Sequence, residues 1–227
     1  MTGTTIVLLH GAGMDAWIWD RVRPLIEAET MALDVPSRST NVTPADCAAR
    51  IVSAIDARAS DGIILVMHSL AGVLAAALAG LLGGRLKACV YVSAVIPGEG
   101  GTFAKAMGFP GRLLLPVLFR LHPRGLIPSE SMIRAELCED LGEDDSGRVV
   151  KHYKAEFPGL YLSKVAAPPT CRSVYIKLTA DNCVSPKLQS RMLERLKNPE
   201  VSEIHSGHLA MLSHAKEIAA IINRVAA

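Results

Sequence analysis

The chain has 227 residues, half of them hydrophobic and 20% charged, which suits one folded domain and excludes a disordered chain. Lys and Arg number 24 and Asp and Glu 22, for a net charge of +2, and aromatics are 4%; neither nucleic acid nor an anionic membrane is indicated as a partner. Five cysteines without a CxxC pair argue against a disulfide framework or a metal site and for a reducing, cytoplasmic setting, and the opening MTGTTIVLLHGAG lacks the pattern of a secretory signal.

In chain order, residues 5–9 are an apolar, β-branched run and predict a first strand, stopped by His10-Gly11-Ala12-Gly13. Asp15 is placed to cap a helix over 16–27. A short strand over 30–33 follows, then the turn Asp34-Val35-Pro36 and a polar loop. Thr43-Pro44 opens a helix running to about Ala59. Residues 62–84, GIILVMHSLAGVLAAALAGLLGG, carry no Asp, Glu, Lys or Arg and are long enough to span a bilayer. They change character at His68-Ser69, however, and predict a buried strand (63–67), a tight turn and a helix (70–82).

Further strands are predicted over 87–92, 173–178 and 201–204, and helices over 186–197 and 209–225. Strands alternating with helices, and apolar on both faces, predict an α/β fold: a mostly parallel, doubly wound sheet of about six strands. Residues 97–167 break this rhythm, with helical pieces at 111–121 and 129–141. They predict a helical cap inserted in a core formed by 1–96 and 168–227. The acidic run at 138–145 within the cap reads as a solvated loop.

Four loops carry chemistry, each at a predicted strand end. Val66-Met67-His68-Ser69-Leu70-Ala71-Gly72 puts a serine in a strand-to-helix turn, where its Oγ projects and the helix N–H groups converge. It departs from the G-x-S-x-G pattern at Met67 and Ala71, and a plain serine N-cap is the competing reading. Met67 is expected to loosen the turn or crowd an acyl pocket. The His10–Gly13 loop supplies an N–H at Ala12 and the serine turn another at Leu70, the two donors that a developing oxyanion needs. Asp181 follows the fifth strand and His208 the sixth. Serine is a poor nucleophile unless a base takes its proton and a carboxylate orients that base.

The order Ser, Asp, His resembles the α/β-hydrolase superfamily. HGAGMDAWIW, TADNCVSPKLQ and HSGHLAMLSHAKEI are similar to the opening, acid loop and ending of its plant esterase and hydroxynitrile-lyase group, which includes methyl salicylate and methyl jasmonate esterases. The resemblance implies Ser69 as nucleophile, His208 as base, Asp181 as orienter, and Ala12 and Leu70 as oxyanion hole. Gly11, Gly13, His68 and Leu209 flank these positions and are the candidate substrate-binding residues. The lyases of the group resemble one another in a Lys after the catalytic His and a Thr after the first-strand His. Here those positions hold Leu209 and Gly11, which favours hydrolysis.

The resemblance therefore implies a cofactor-free serine hydrolase acting on a small-molecule carboxylic ester or lactone. Two other readings stand beside it: a triad-bearing lyase or cyclase on a non-ester, and a non-catalytic ligand-binding member. His205 is the competing base, Asp34 the competing acid, and no two histidines have a convincing partner for a metal. Oligomeric state is not legible in the chain.

Overall fold

The computed structural model describes residues 3–58 and 62–227. Within them six strands form one all-parallel sheet: β1 (Thr4–Leu9), β2 (Glu29–Leu33), β3 (Gly62–His68), β4 (Leu86–Val92), β5 (Arg172–Leu178) and β6 (Glu200–Ile204). Their order across the sheet is β2-β1-β3-β4-β5-β6. Leu9 pairs with Met67, His68 with Val92, Val92 with Ile176 and Leu178 with Ile204, so the C-terminal strand ends share one rim. The winding direction reverses between β1 and β3. That is the switch point at which open α/β sheets take ligands, and the loops after His10 and His68 both leave from it.

The core helices are α1 (Pro44–Asp56) and α2 (Ala75–Leu82). The segment between β4 and β5 holds α3 (Phe103–Ala106), α4 (Gly111–Leu121), α5 (Glu130–Leu137), α6 (Glu143–His152) and α7 (Pro158–Leu162). After β5 come α8 (Pro186–Leu193), α9 (Ala210–Ser213) and α10 (Ala215–Ala226). Alternate side chains of one strand point to opposite faces. Ile63, Leu65 and Met67 of β3 join Ile51, Ile55 and Leu78 in one core. Ile64 and Val66 join Trp19, Ile218 and Ile222 in the other. Both faces are covered, which is why the strands read as unbroken apolar runs.

Several element ends differ from the sequence reading. The helix expected over 16–27 is two 3-10 turns, Ala16–Trp19 and Arg23–Leu25; Pro24 lies inside the second, where its ring and missing N–H oppose an α-helix. Asp15 makes no cap there; it pairs instead with Arg38, at 2.7 Å, and with Lys154. At α1, Thr43 and Asp46 form a reciprocal capping box with Pro44 in the first turn. The expected end of that helix at Ala59 lies outside the described residues.

The helix after Ser69 opens as a 3-10 segment, Ser69–Leu74, before α2, and the last helix breaks at His214 into α9 and α10. The acidic run is not a solvated loop. Glu143, Asp144 and Asp145 form the first turn of α6, where the positive helix end favours them, while Glu139 and Asp140 bind the rim of the sheet. No helix among the described residues is long and apolar enough to cross a membrane.

Candidate active site

Ser69 is the first residue after β3 and has φ 52, in the left-handed region that side chains rarely adopt. Such a turn forces the side chain off the strand end. It is made possible by Gly11: a Cβ there would lie 2.8 Å from both His68 Nδ1 and Ser69 Cβ. Met67 is fully buried in the core on the α1 and α2 side and does not line the cavity over Ser69. The expected loosening of the turn is therefore absent, because the side chain next to the elbow is directed into the sheet's own core.

Three separate stretches meet at Ser69. His208, in the loop after β6, sets Nε2 3.0 Å from Ser69 Oγ. Its Nδ1 lies 2.7 Å from Asp181 Oδ2, in the loop after β5. All three side chains are buried. The second Asp181 oxygen accepts from the Val184 N–H at 2.8 Å. Burial disfavours the charged imidazole of His208, but the adjacent Asp181 carboxylate outweighs it and holds the pKa well above the usual histidine value.

Ser93 was not anticipated. It follows β4 at the same rim, has φ 41, and donates to Asp181 Oδ2 at 2.6 Å. Its signal in the sequence was its place: a small hydroxyl residue just beyond a buried strand, in Tyr91-Val92-Ser93-Ala94.

His68 is no base. It is buried, its Nε2–H donates to the His208 carbonyl at 3.0 Å, and its ring lies 4.7 Å from that of His208. Burial and then the charge of His208 press its pKa well below the usual value, so it stays neutral. His205 is exposed, with Nδ1 against Thr179 Oγ1 at 3.1 Å. Asp34 accepts from the Ala16 N–H at 2.8 Å and closes a corner. His10, Asp15 and Asp34 bring ligand-type atoms within 4.8 Å of one another. His10 Nε2 accepts from Val35 N–H, Asp15 holds Arg38, and Asp34 Oδ1 accepts from Ala16 N–H. Burial, first among the causes, pushes the His10 pKa down to about 4.

Above Ser69 lies a cavity of about 230 Å³. Ser69, His208 and Ala12 form its floor, and Phe103, Met107, Leu115, Phe119, Leu126 and Ile133 are among its apolar walls. No group among the described residues accepts from the Ala12 N–H. The Leu70 N–H belongs to the first turn of a helix and has no acceptor inside it. Gly11, Gly13, His68 and Leu209, the candidate substrate-binding residues, do not line this cavity. Gly11 spaces the elbow. Gly13 has φ 71, and its N–H is taken by Glu156 Oε1 at 2.8 Å. Leu209 is packed in the core with Trp19. Besides Ser69, His208 and Cys183, the polar residues that line it are Glu136, Tyr153, Glu156 and Tyr161, which belong to the segment between β4 and β5, where no motif marked them.

That segment is tied to the loops that carry His208 and Asp181. Asp140 Oδ2 accepts from Ser206 Oγ at 2.7 Å, from Gly207 N–H at 3.0 Å and from Ser213 Oγ at 2.8 Å. Glu139 Oε1 accepts from Asn182 N–H at 2.7 Å. The former clasp brackets His208, and the latter sits next to Asp181.

The model of a family described as the alpha/beta hydrolase family matches residues 6–221. Norfluorocurarine synthase 2 from a Strychnos species is 24% identical over 93% of this chain and 91% of its own length. Methylesterase 9 of Arabidopsis thaliana is 28% identical over 40% of each chain. Among solved structures, an extracellular α/β-hydrolase from a Paenibacillus species, described as sharing structural and functional homology with tobacco Salicylic Acid Binding Protein 2, superposes with a TM-score of 0.88. It is 17% identical over 98% of each chain.

Proposed function

The chain belongs to the α/β-hydrolase family, and from that premise we propose that it is a cofactor-free serine hydrolase of small carboxylic esters or lactones. The observation that carries this reading is the unbroken relay from Ser69 Oγ through His208 to Asp181, at 3.0 and 2.7 Å. Ser69 attacks the carbonyl carbon while His208 Nε2 takes its proton. The oxyanion is held by the Ala12 and Leu70 N–H groups. His208 returns the proton to the leaving alcohol, and the acyl-enzyme forms. Water, deprotonated by the same nitrogen, then releases the acid and restores Ser69.

Asp181 stays ionised throughout and stabilises the imidazolium; Ser93 holds the same carboxylate oxygen. The apolar cavity of about 230 Å³ favours a small, largely hydrocarbon acyl or alkyl group. The segment over 97–167 acts as the cap that shapes it. The odd set of free cysteines supports a reducing compartment, the cytoplasm. Turnover of p-nitrophenyl acetate and butyrate tests the reading. The wild type hydrolyses at least one, and Ser69→Ala lowers the rate by about 10³-fold or more; equal rates in a folded variant remove the mechanism.

A second reading has one specific support, the synthase that resembles this chain over 93% of its length. It keeps the three residues but applies them to acid–base chemistry on a non-ester. Product analysis separates the two, because only hydrolysis incorporates oxygen from labelled water into an acid.

A further inference from the structure

The cavity over Ser69 contains a carboxyl group that the hydrolytic relay does not use. Glu156 is 4% exposed and lines the cavity between α6 and α7. Its backbone is fixed by a bridge to Leu126, with N–H to carbonyl distances of 2.8 and 3.0 Å in the two directions. Oε1 accepts from Gly13 N–H at 2.8 Å, which ties the carboxyl to the loop that also carries Ala12. Oε2 is shut from bulk water and has no hydrogen bond of normal geometry.

The groups that face Glu156 leave its charge unpaired. Arg38 acts on it at a distance but is engaged by Asp15, with Lys154 on that same carboxylate. The Tyr161 hydroxyl donates to the Glu156 carboxyl, outside strict geometry, and favours its ionised form, and Tyr153 and Cys47 are close enough to feel its charge. None of these is a cation in contact. No Lys or Arg is among the described residues that line the cavity, whereas Glu136 adds a second carboxylate at its exposed side. A buried carboxylate with no cation in contact is costly unless a counter-charge meets it.

We propose that Glu156 is a specificity-determining residue, whose carboxylate, set beside the Ala12 loop in the cavity of Ser69 and His208, receives a protonated amine carried by the substrate. An amine supplies the missing counter-charge; a hydroxyl does not. This names the substrate class of the proposed hydrolase as amine-bearing small esters, and it rests on that reading for the reaction but not for the binding.

The test is calorimetric binding of n-hexylamine, n-hexanol and hexanoate to the full chain, which needs no turnover. The amine binds at least tenfold more tightly than the other two at pH 8. Burial, the largest influence, pushes the Glu156 pKa up to about 7, so the ionised fraction, and with it amine affinity, falls roughly tenfold between pH 8 and pH 6. Glu156→Gln keeps the acceptor for Gly13 and removes the charge, and its amine preference falls to about one. Equal binding of amine and alcohol by the wild type, or an amine preference that survives Glu156→Gln, overturns the proposal.

If that variant does not fold, the wild-type comparison at the two pH values decides: a preference that does not fall at pH 6 overturns the proposal. Turnover of p-nitrophenyl butyrate is measured in parallel. Amine preference without turnover supports the subsite and sinks the hydrolase reading. Turnover without amine preference does the reverse.

Discussion

Ser93 Oγ and His208 Nδ1 meet the same oxygen of Asp181, at 2.6 and 2.7 Å. The carboxylate is thereby held by a strand-end hydroxyl that takes no part in proton transfer. Ser93→Ala leaves one fewer donor on a buried charge, worth roughly 1.5–3 kcal/mol for a hydrogen bond to a charged group. The expected result is a fall in kcat of about tenfold or more with KM little changed, together with a lower Tm. Steady-state kinetics and a thermal melt check both. Ser93→Thr, which keeps the hydroxyl, recovers more of kcat than Ser93→Ala.

The clasp of Asp140 on Ser206, Gly207 and Ser213 makes a distinct prediction, because it fixes the loop of the base from outside the relay. Asp140→Ala removes the shared acceptor: Ser206 Oγ keeps the Gly207 carbonyl at 3.1 Å and Ser213 Oγ at 3.2 Å, while the Gly207 N–H is left without a partner. Leaving buried donors unpaired costs about 1–3 kcal/mol. The variant melts earlier and loses kcat as the His208 loop loosens, with hydrogen exchange increasing over residues 205–213. Exchange unchanged in that loop contradicts the clasp.

The pH profile follows from the state of His208. Only its neutral form accepts the Ser69 proton, so kcat/KM rises with pH as the imidazolium deprotonates. Burial pulls the pKa down, but Asp181 outweighs it, so the limb lies above the ordinary histidine value of about 6.5. Asp181→Asn removes the charge that raises it. That variant shows the limb at lower pH and a rate reduced by about 10⁴-fold, as expected when the base loses its orienting carboxylate. A limb that does not move in Asp181→Asn contradicts the pairing.

Gly11 sets the approach of the β1 loop to the elbow. A Cβ would sit 2.8 Å from His68 Nδ1 and from Ser69 Cβ, so Gly11→Ala forces one of them aside. Overpacking of this kind costs about 1–3 kcal/mol. Ester turnover drops at least tenfold in that variant, and Tm falls with it.

How much of this was legible in the chain depends on how local the cause is. The six strands were readable because a sheet covered on both faces needs unbroken apolar runs, and Val66 and Met67 lie in such a run whichever core they face. That Ser69, Asp181 and His208 meet at one rim was readable because each lies within four residues of the end of a strand whose place in the sheet is fixed by its neighbours. Leu209 and His68 do not line the cavity, because adjacency in sequence does not say which way a side chain turns. The α-helix expected over 16–27 does not form because Pro24 interrupts the apolar pattern, with a ring and a missing N–H that oppose it. The acidic run failed because charge alone does not reveal the N–H and hydroxyl donors of Ser206, Gly207 and Asn182, which are more than 40 residues away in the chain. Glu156 was silent for the same reason: its environment is assembled from Gly13, Leu126 and Tyr161, and no local pattern announces it.

The central claim is that the Ser69 hydroxyl is activated by His208 and open to an electrophile from the cavity. Exposure to a fluorophosphonate probe, followed by peptide mass spectrometry, reads this directly. The account predicts a single stoichiometric adduct on the peptide bearing Ser69, formed faster as pH rises through the His208 limb and slowed at least a hundredfold in His208→Ala. An unmodified Ser69 peptide in folded, wild-type protein, or labelling that proceeds equally without His208, contradicts it.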